Sequence, residues 1–215
     1  MSRPSEEEFD LLVVVADLDQ QEAMKGLLSR SHSLKTSPFK FKVDKLNSRD
    51  AGTRTQGAEY LRTRQNTFSY AILLFDRHGA GADDSAEQFE NELDQRLASY
   101  GLGERTCCIV IDPEIEAWVW GESPRVDEAI GWTPLENLRG WLRDNQWLRP
   151  GEFKPSRPKE ALHAALKVAG KKPTAPLFRK LAENVSFRNC QDRAFVRLLT
   201  TLRTWFPAST PEEPS

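Results

Sequence analysis

The sequence predicts an α/β fold with a mainly parallel four-stranded sheet, helices on both faces and a further helical lobe at the carboxyl end. Four apolar segments rich in β-branched residues have the length of buried strands. Segments of about ten or more residues with helical spacing separate them, and such crossovers are what parallel pairing requires. The 215 residues, 39% hydrophobic and 29% charged, suit one globular core with a small additional lobe.

The first two strands are expected near the amino terminus. Residues 9–15 form an almost continuous apolar run, and a helix follows at residues 20–28 with Asp19 as its expected N-cap. Residues 39–43 alternate apolar and charged side chains, as a half-buried strand does. A second helix is expected at residues 56–65.

The other two strands lie further along the chain. Residues 69–75 form the third apolar run, which ends at Asp76. A charged amphipathic helix is expected from about residue 84 to residue 100, and the fourth strand covers residues 106–111. Pro113 ends that strand and is expected to open a helix, because proline is accepted in the first turn.

The charge distribution suggests two lobes and a tail. Residues 1–148, the expected sheet domain, carry 17 Lys and Arg against 26 Asp and Glu. In the expected helical lobe, 149–206, the stretch 149–205 carries 13 against 4. The basic lobe either contacts phosphate or docks on the acidic lobe. The tail, 207–215, is rich in Pro, Ser, Thr and Glu and is expected to be disordered.

The chain contains no apolar leader and no run long enough to span a membrane, so a cytoplasmic protein is expected. Its cysteines are odd in number, and two of them are adjacent within an apolar strand. We expect buried free thiols at Cys107, Cys108 and Cys190.

Acidic residues follow three of the four predicted strands. Because the carboxyl ends of parallel strands meet at one edge of the sheet, these side chains are expected to converge there. A single acid after a strand is often an N-cap or turn residue, but several converging carboxylates need a cation such as Mg²⁺ or Mn²⁺. Hydrolysis of phosphodiesters by bound metal ions uses such carboxylates. The candidate metal ligands are Asp17, Asp19, Asp76, Asp112, Glu114 and Glu116.

Two further features bear on chemistry. His78, two residues beyond Asp76, is a candidate ligand or general acid/base, or else an ordinary loop residue. With Asp17, Asp76 and Glu116 it completes the predicted catalytic set. Basic residues of the second lobe are candidate contacts to a nucleic-acid backbone, since a helix amino terminus with basic side chains suits phosphate. These are Arg157, Lys159, Lys171 and Lys172.

At these positions the chain resembles a known group of proteins. The turn Asp76-Arg77-His78-Gly79 and the segment Pro113-Glu114-Ile115-Glu116-Ala117-Trp118 are similar to motifs of Toprim-related proteins of bacterial defence islands. The later stretches at 158–160, 171–172, 178–182 and 190–202 are similar to the carboxyl-terminal helices of the same group. The chain also resembles a component of methylation-associated anti-phage defence systems.

The resemblance implies a Toprim-like fold and a Mg²⁺-dependent nuclease or phosphodiesterase that works with other subunits of a defence system. Two positions depart from the family pattern. Ala16-Asp17 stands where a Glu-Gly pair is expected, and His78 replaces the second aspartate of an Asp-x-Asp pair. Histidine suits Mn²⁺ better than Mg²⁺. The alternative is therefore a catalytically degenerate scaffold that binds the other subunits.

Overall fold

The computed structural model describes residues 9–120, 123, 125–134, 136–188 and 190–208. It confirms the predicted α/β class, with a four-stranded sheet in the order β2-β1-β3-β4 and parallel pairing throughout. The strands are β1 (Phe9–Val15), β2 (Phe41–Lys45), β3 (Phe68–Asp76) and β4 (Thr106–Ile111).

Helices connect these strands and form the second lobe. In chain order they are α1 (Leu18–Leu28), α2 (Ser31–Leu34), α3 (Arg49–Thr63), α4 (Ala86–Ser99), α5 (Arg125–Ile130), α6 (Leu138–Asp144), α7 (Pro158–Val168), α8 (Ala175–Asn184) and α9 (Arg193–Trp205). Short 3₁₀ helices lie at Gly103–Arg105 and Ile115–Trp118. None of the helices in the described part of the chain is both long and apolar enough to cross a membrane.

Both faces of the sheet are covered, because successive side chains of a strand point to opposite faces. On one face Val13 and Ile72 join the core that includes α1 and the helices of the second lobe. On the other face Val14 and Leu73 pack with residues of α3 and α4. The continuous apolar runs in the sequence therefore reflect strands that are buried on both sides.

The second lobe packs closely on the first through α8 and α1. Gly26 of α1 faces the carbonyl oxygen of Arg179, and an added Cβ atom would lie only 2.7 Å from that oxygen. Arg30 donates to the carbonyl oxygens of Ala182 and Val185, at 2.6 and 2.9 Å. These contacts pack α8 against α1.

The backbone N–H and C=O groups on the open edge of β4 bond to side chains rather than to another strand. Asp94 and Glu90 of α4 accept the N–H groups of Cys108 and Val110, each at 2.8 Å. From α9, Arg197 and Arg193 donate to the carbonyl oxygens of the same two residues, at 3.0 and 3.1 Å. Unpaired edge groups invite further strand pairing, so these four side chains close the sheet at β4.

Several predicted boundaries are wrong. The N-cap of α1 is Asp17, not Asp19, because Asp17 Oδ1 accepts the Gln20 N–H at 2.8 Å. Strand β2 begins at Phe41 rather than residue 39, since the ring of Phe39 stacks on Phe206 at 4.3 Å. Helix α3 begins seven residues before the predicted start, in a turn with few apolar residues to indicate it.

The predicted helix from Pro113 is also wrong. The Pro113 carbonyl accepts the His78 N–H at 3.0 Å, Glu114 is extended, and only the 3₁₀ helix Ile115–Trp118 follows. Pro207, the first residue of the tail that was expected to be disordered, forms an isolated antiparallel β-bridge with Thr36. Residues 1–8 and 209–215, including most of the predicted disordered tail, lie outside the described residues. All cysteines are free, and Cys190 is only partly buried.

Candidate functional site

The carboxyl ends of β1 and β2 bring together a small polar cluster around Gln20. This buried amide accepts the Ala16 N–H at 2.9 Å and donates to Asp50 Oδ1 at 3.2 Å. The carboxylate of Asp17 is fixed nearby as the N-cap of α1. Gln20 therefore links the end of β1 to the start of α3 and holds Asp50 at the edge of the sheet.

Asp50 belongs to the site, although the sequence interpretation missed it. Its Oδ1 atom accepts the backbone N–H of Asp76 at 2.9 Å. Its other oxygen lies against Gly79, which has φ +97°, and an added Cβ there would be 3.1 Å from Asp50 Oδ2. The sequence gives one indication of this residue, because acids were assigned after three of the predicted strands and none was assigned after β2.

Asp76 is one of the buried acids of the site, with 5% of its surface exposed. Burial raises its pKa well above the usual value, and the carboxylates of Asp50, Glu116 and Asp17 raise it further. A backbone hydrogen bond from Ile115 offsets only part of this effect. Among the residues that the structure describes, Asp76 Oδ1 has no hydrogen-bond partner, so this buried carboxylate oxygen lacks a donor.

Glu116 is the second buried acid, with 2% exposure. Burial raises its pKa to about 7, although the ammonium group of Lys159 opposes the change. Lys159 Nζ lies 3.4 Å from Glu116 Oε1 and 3.6 Å from Glu114 Oε2. Glu116 Oε2, like Asp76 Oδ1, has no hydrogen-bond partner within the described ranges.

Glu114 has a different environment from Glu116. Its Oε1 atom accepts the backbone N–H of Lys159, at 3.2 Å, in the first turn of α7. A carboxylate at this position satisfies a free amide and favours the helix dipole. Glu114 therefore attaches the second lobe to the site, through a helix 45 residues further along the chain.

The remaining predicted acids lie further out. Asp112 is half exposed and pairs with Arg77, whose Nε lies 2.8 Å from Asp112 Oδ1. Burial raises the pKa of Asp19, and Asp17 raises it further, whereas Lys159 and His163 lower it. Asp19 is thus within the electrostatic reach of the site. The side chain of His78 is exposed.

The predicted nucleic-acid contacts separate into two groups. Lys159 lies among the acids, where burial lowers its pKa but the carboxylates of Glu116, Glu114 and Asp76 raise it to a greater extent. Arg157, Lys171 and Lys172 are exposed on the second lobe. The guanidinium of Arg157 stacks over the ring of Trp147 at 5.1 Å.

The chemistry of the donor set fits a hard divalent cation. Two buried carboxylate oxygens without donors, on Asp76 and Glu116, repel each other and the carboxylates of Asp17 and Asp50. Oxygen ligands of this kind suit Mg²⁺ and Mn²⁺. Across the described residues, however, no three His, Cys, Asp or Glu side chains are grouped so that they could hold an ion by themselves. Mg²⁺ is commonly held by one or two carboxylates together with water and phosphate oxygens.

Comparisons with known proteins support the fold. The structure is similar to the C-terminal region of the Burkholderia pseudomallei OLD protein, with a TM-score of 0.50 and 15% sequence identity. The similarity covers 91% of this chain and 98% of that one. No protein-family model matches the sequence, and no curated protein matches it. At this identity the similarity establishes a shared fold across nearly the whole chain.

Proposed function

We propose that this protein is a Toprim-like, metal-dependent nuclease or phosphodiesterase subunit of a bacterial anti-phage defence system. The observation that carries the proposal is the pair of buried carboxylate oxygens, on Asp76 and Glu116, that have no hydrogen-bond donor in the described part of the chain. Burying an ionised carboxylate without a partner costs several kcal/mol, and a bound cation offsets this cost. The structural similarity to the OLD protein region and the motifs around Asp76 and Glu116 support the same function.

Asp76 and Glu116 would hold the cation, and Asp17 and Asp50 would add negative charge at its side. A divalent ion at this site supplies charge neutralisation for the phosphate and an activated water. Asp50 fixes the backbone at Asp76 by accepting its N–H, and the 3₁₀ helix carries Glu116. Lys159, 3.4 Å from Glu116, adds a positive charge where a phosphate oxygen would approach.

The experiment that tests this proposal combines metal binding with cleavage. Titration with Mn²⁺ or Mg²⁺, followed by calorimetry and thermal melting, should show saturable binding and a raised Tm in the wild type. Asp76→Asn and Glu116→Gln should abolish both effects. Asp112→Asn is the matched control, because that carboxylate is half exposed and pairs with Arg77, and it should bind metal as the wild type does. Cleavage of DNA or RNA should require the ion and the two buried acids.

A second function, a catalytically degenerate scaffold for the other subunits, is favoured by a specific observation. Lys159 already supplies a cation to Glu114 and Glu116, and the exposed His78 stands where the family pattern has an aspartate. A scaffold would show no response of Tm to Mn²⁺, and Asp76→Asn would raise stability by removing a buried charge. Copurification of other subunits that survives the Asp76→Asn substitution would then support the scaffold.

A further inference from the structure

A cavity of about 820 Å³ lies between the two lobes. Its walls come from α1, α8, α9, the 3₁₀ helix Ile115–Trp118 and the segments 151–154, 185–187 and 190–192. Most of the lining is apolar, with aromatic side chains on several sides. Those rings belong to Trp118, Trp120, Phe153, Phe178, Phe187 and Phe195. The volume is in the range of about 300 to 1,000 Å³ that is typical of sites for small ligands.

One side of the cavity is polar and holds a lysine that has donors to spare. The carboxylate of Asp192 accepts Trp118 Nε1 at 3.0 Å and the Phe195 N–H at 3.1 Å. Lys154 Nζ lies 3.4 Å from the other oxygen of Asp192. Since an ammonium group carries three protons and this contact uses one, Lys154 can also donate to a molecule in the cavity.

We propose that this cavity binds a small amphipathic anion, with an aromatic or aliphatic body and one acidic group. The aromatic walls would bury the body, and Lys154 would pair with the acidic group. A neutral apolar molecule would leave the ammonium of Lys154 without its second partner. A dianion would face the carboxylate of Asp192 at short range.

The position of the cavity gives the ligand access to the segment that carries Glu116. Ile115 and Trp118 both line the cavity, and Glu116 lies between them in the same 3₁₀ helix. A molecule in the cavity would therefore contact the residues that set the position of this carboxylate. The binding proposal does not depend on metal binding, and it is tested in the presence of a chelator.

The probe is 1-anilinonaphthalene-8-sulfonate, an aromatic anion of suitable size. Its neutral analogue, N-phenyl-1-naphthylamine, is the comparison. Fluorescence titration should show one saturable site in the wild type. Cys190 lines the cavity, so Cys190→Phe should fill it and weaken binding by about tenfold or more, whereas Cys190→Ser should leave it unchanged. Lys154→Met should weaken binding of the sulfonate by about tenfold but not that of the neutral analogue.

A second measurement does not depend on the folding of the Phe variant. Iodoacetamide should alkylate Cys190 in the wild type, and saturating sulfonate should slow that reaction, as followed by mass spectrometry of the peptide that contains Cys190. Unsaturable binding, unchanged alkylation, or equal affinity of wild type and a folded Cys190→Phe variant would overturn the site. Equal loss of both probes in Lys154→Met would overturn the assignment of an anion.

Discussion

Asp50 accepts the backbone N–H of Asp76 through Oδ1 at 2.9 Å, and this bond joins the start of α3 to the end of β3. The same contact brings the carboxylates of Asp50 and Asp76 close together, so that the charge of Asp50 raises the pKa of Asp76. Burial raises the pKa of Asp50, and the nearby carboxylate of Asp17 raises it further. Asp50 is thus both a structural acceptor and a source of repulsion, and two substitutions separate these roles.

Asp50→Asn should keep the acceptor and remove the charge. We expect the metal-free protein to be unchanged or more stable, by up to about 1 kcal/mol, and to bind Mn²⁺ more weakly. Asp50→Ala also removes the acceptor for the Asp76 N–H and should lower the free energy of unfolding by about 1 to 3 kcal/mol. Urea unfolding with and without Mn²⁺ measures both effects. Equal destabilisation by the two variants would show that the charge does not oppose folding.

The stability of the metal-free protein should depend on the protonation of Glu116. Its pKa is about 7 in the folded protein, against 4.5 as the usual value. A raised pKa means that the folded state binds the proton more tightly than the unfolded state does. The contribution of Glu116 to the free energy of unfolding should therefore be fully present below about pH 4.5 and should be lost, by about 3 kcal/mol, as pH rises from about 4.5 to about 7.

Urea unfolding of the wild type and Glu116→Gln between pH 5 and pH 8 tests this effect. The difference between the two proteins cancels the other titrating groups, except Asp76, Glu114 and Lys159, whose charges interact with Glu116. The glutamine variant should gain stability relative to the wild type as pH rises. Parallel curves would show that Glu116 stays charged at little cost. Saturating Mn²⁺ should reduce the pH dependence of the wild type.

The positions of the four strands could be predicted from the sequence, because each strand shows a local pattern of apolar residues. The acids at the strand ends also followed, since Asp76 and Asp17 come directly after such runs. Asp50 could not be found in this way. Its place in the site depends on the pairing of β1 with both β2 and β3, which brings it to an amide 26 residues away.

The role of Lys159 was hidden for a similar reason. Local sequence shows a basic residue in the first turn of a helix, which suits phosphate. The docking of α7 on the segment of Glu114, 45 residues away, makes Lys159 a partner of two acids instead. No local pattern encodes that contact, because it depends on how the two lobes pack.

Lys159 should compete with a divalent cation for the carboxylates. Lys159→Met removes the ammonium group but keeps an apolar side chain of similar length. We expect Mn²⁺ affinity to rise by about threefold to tenfold, because Glu116 Oε1 and Glu114 Oε2 lose their cation. Lys172→Met is the matched control, since Lys172 is exposed on the second lobe, and calorimetry should show no change for it. An unchanged or lower affinity in Lys159→Met would contradict this prediction.

The edge of β4 should depend on the ion pair between Glu90 and Arg193. Glu90 is 2% exposed, and its Oε2 atom accepts Arg193 Nη1 at 2.7 Å while Oε1 accepts the Val110 N–H. Arg193→Met leaves this buried carboxylate with one ion pair among the described residues, to Arg197 at 3.6 Å. Because Glu90 stays buried and loses its closest cation, the free energy of unfolding should fall by about 1 to 3 kcal/mol.

The double variant Glu90→Gln/Arg193→Met should recover part of this loss, because the side-chain oxygen at position 90 still accepts the Val110 N–H and no charge is buried. Hydrogen exchange at the Val110 N–H should be faster in Arg193→Met than in the double variant, because the side chain at position 90 protects this N–H only when it keeps its place.

The exposed pair between Arg62 and Glu59 is the control, and Arg62→Met should change neither stability nor exchange at Val110. If the single and double variants are equally destabilised, then Arg193 acts through its bond to the Val110 carbonyl and not through the charge of Glu90.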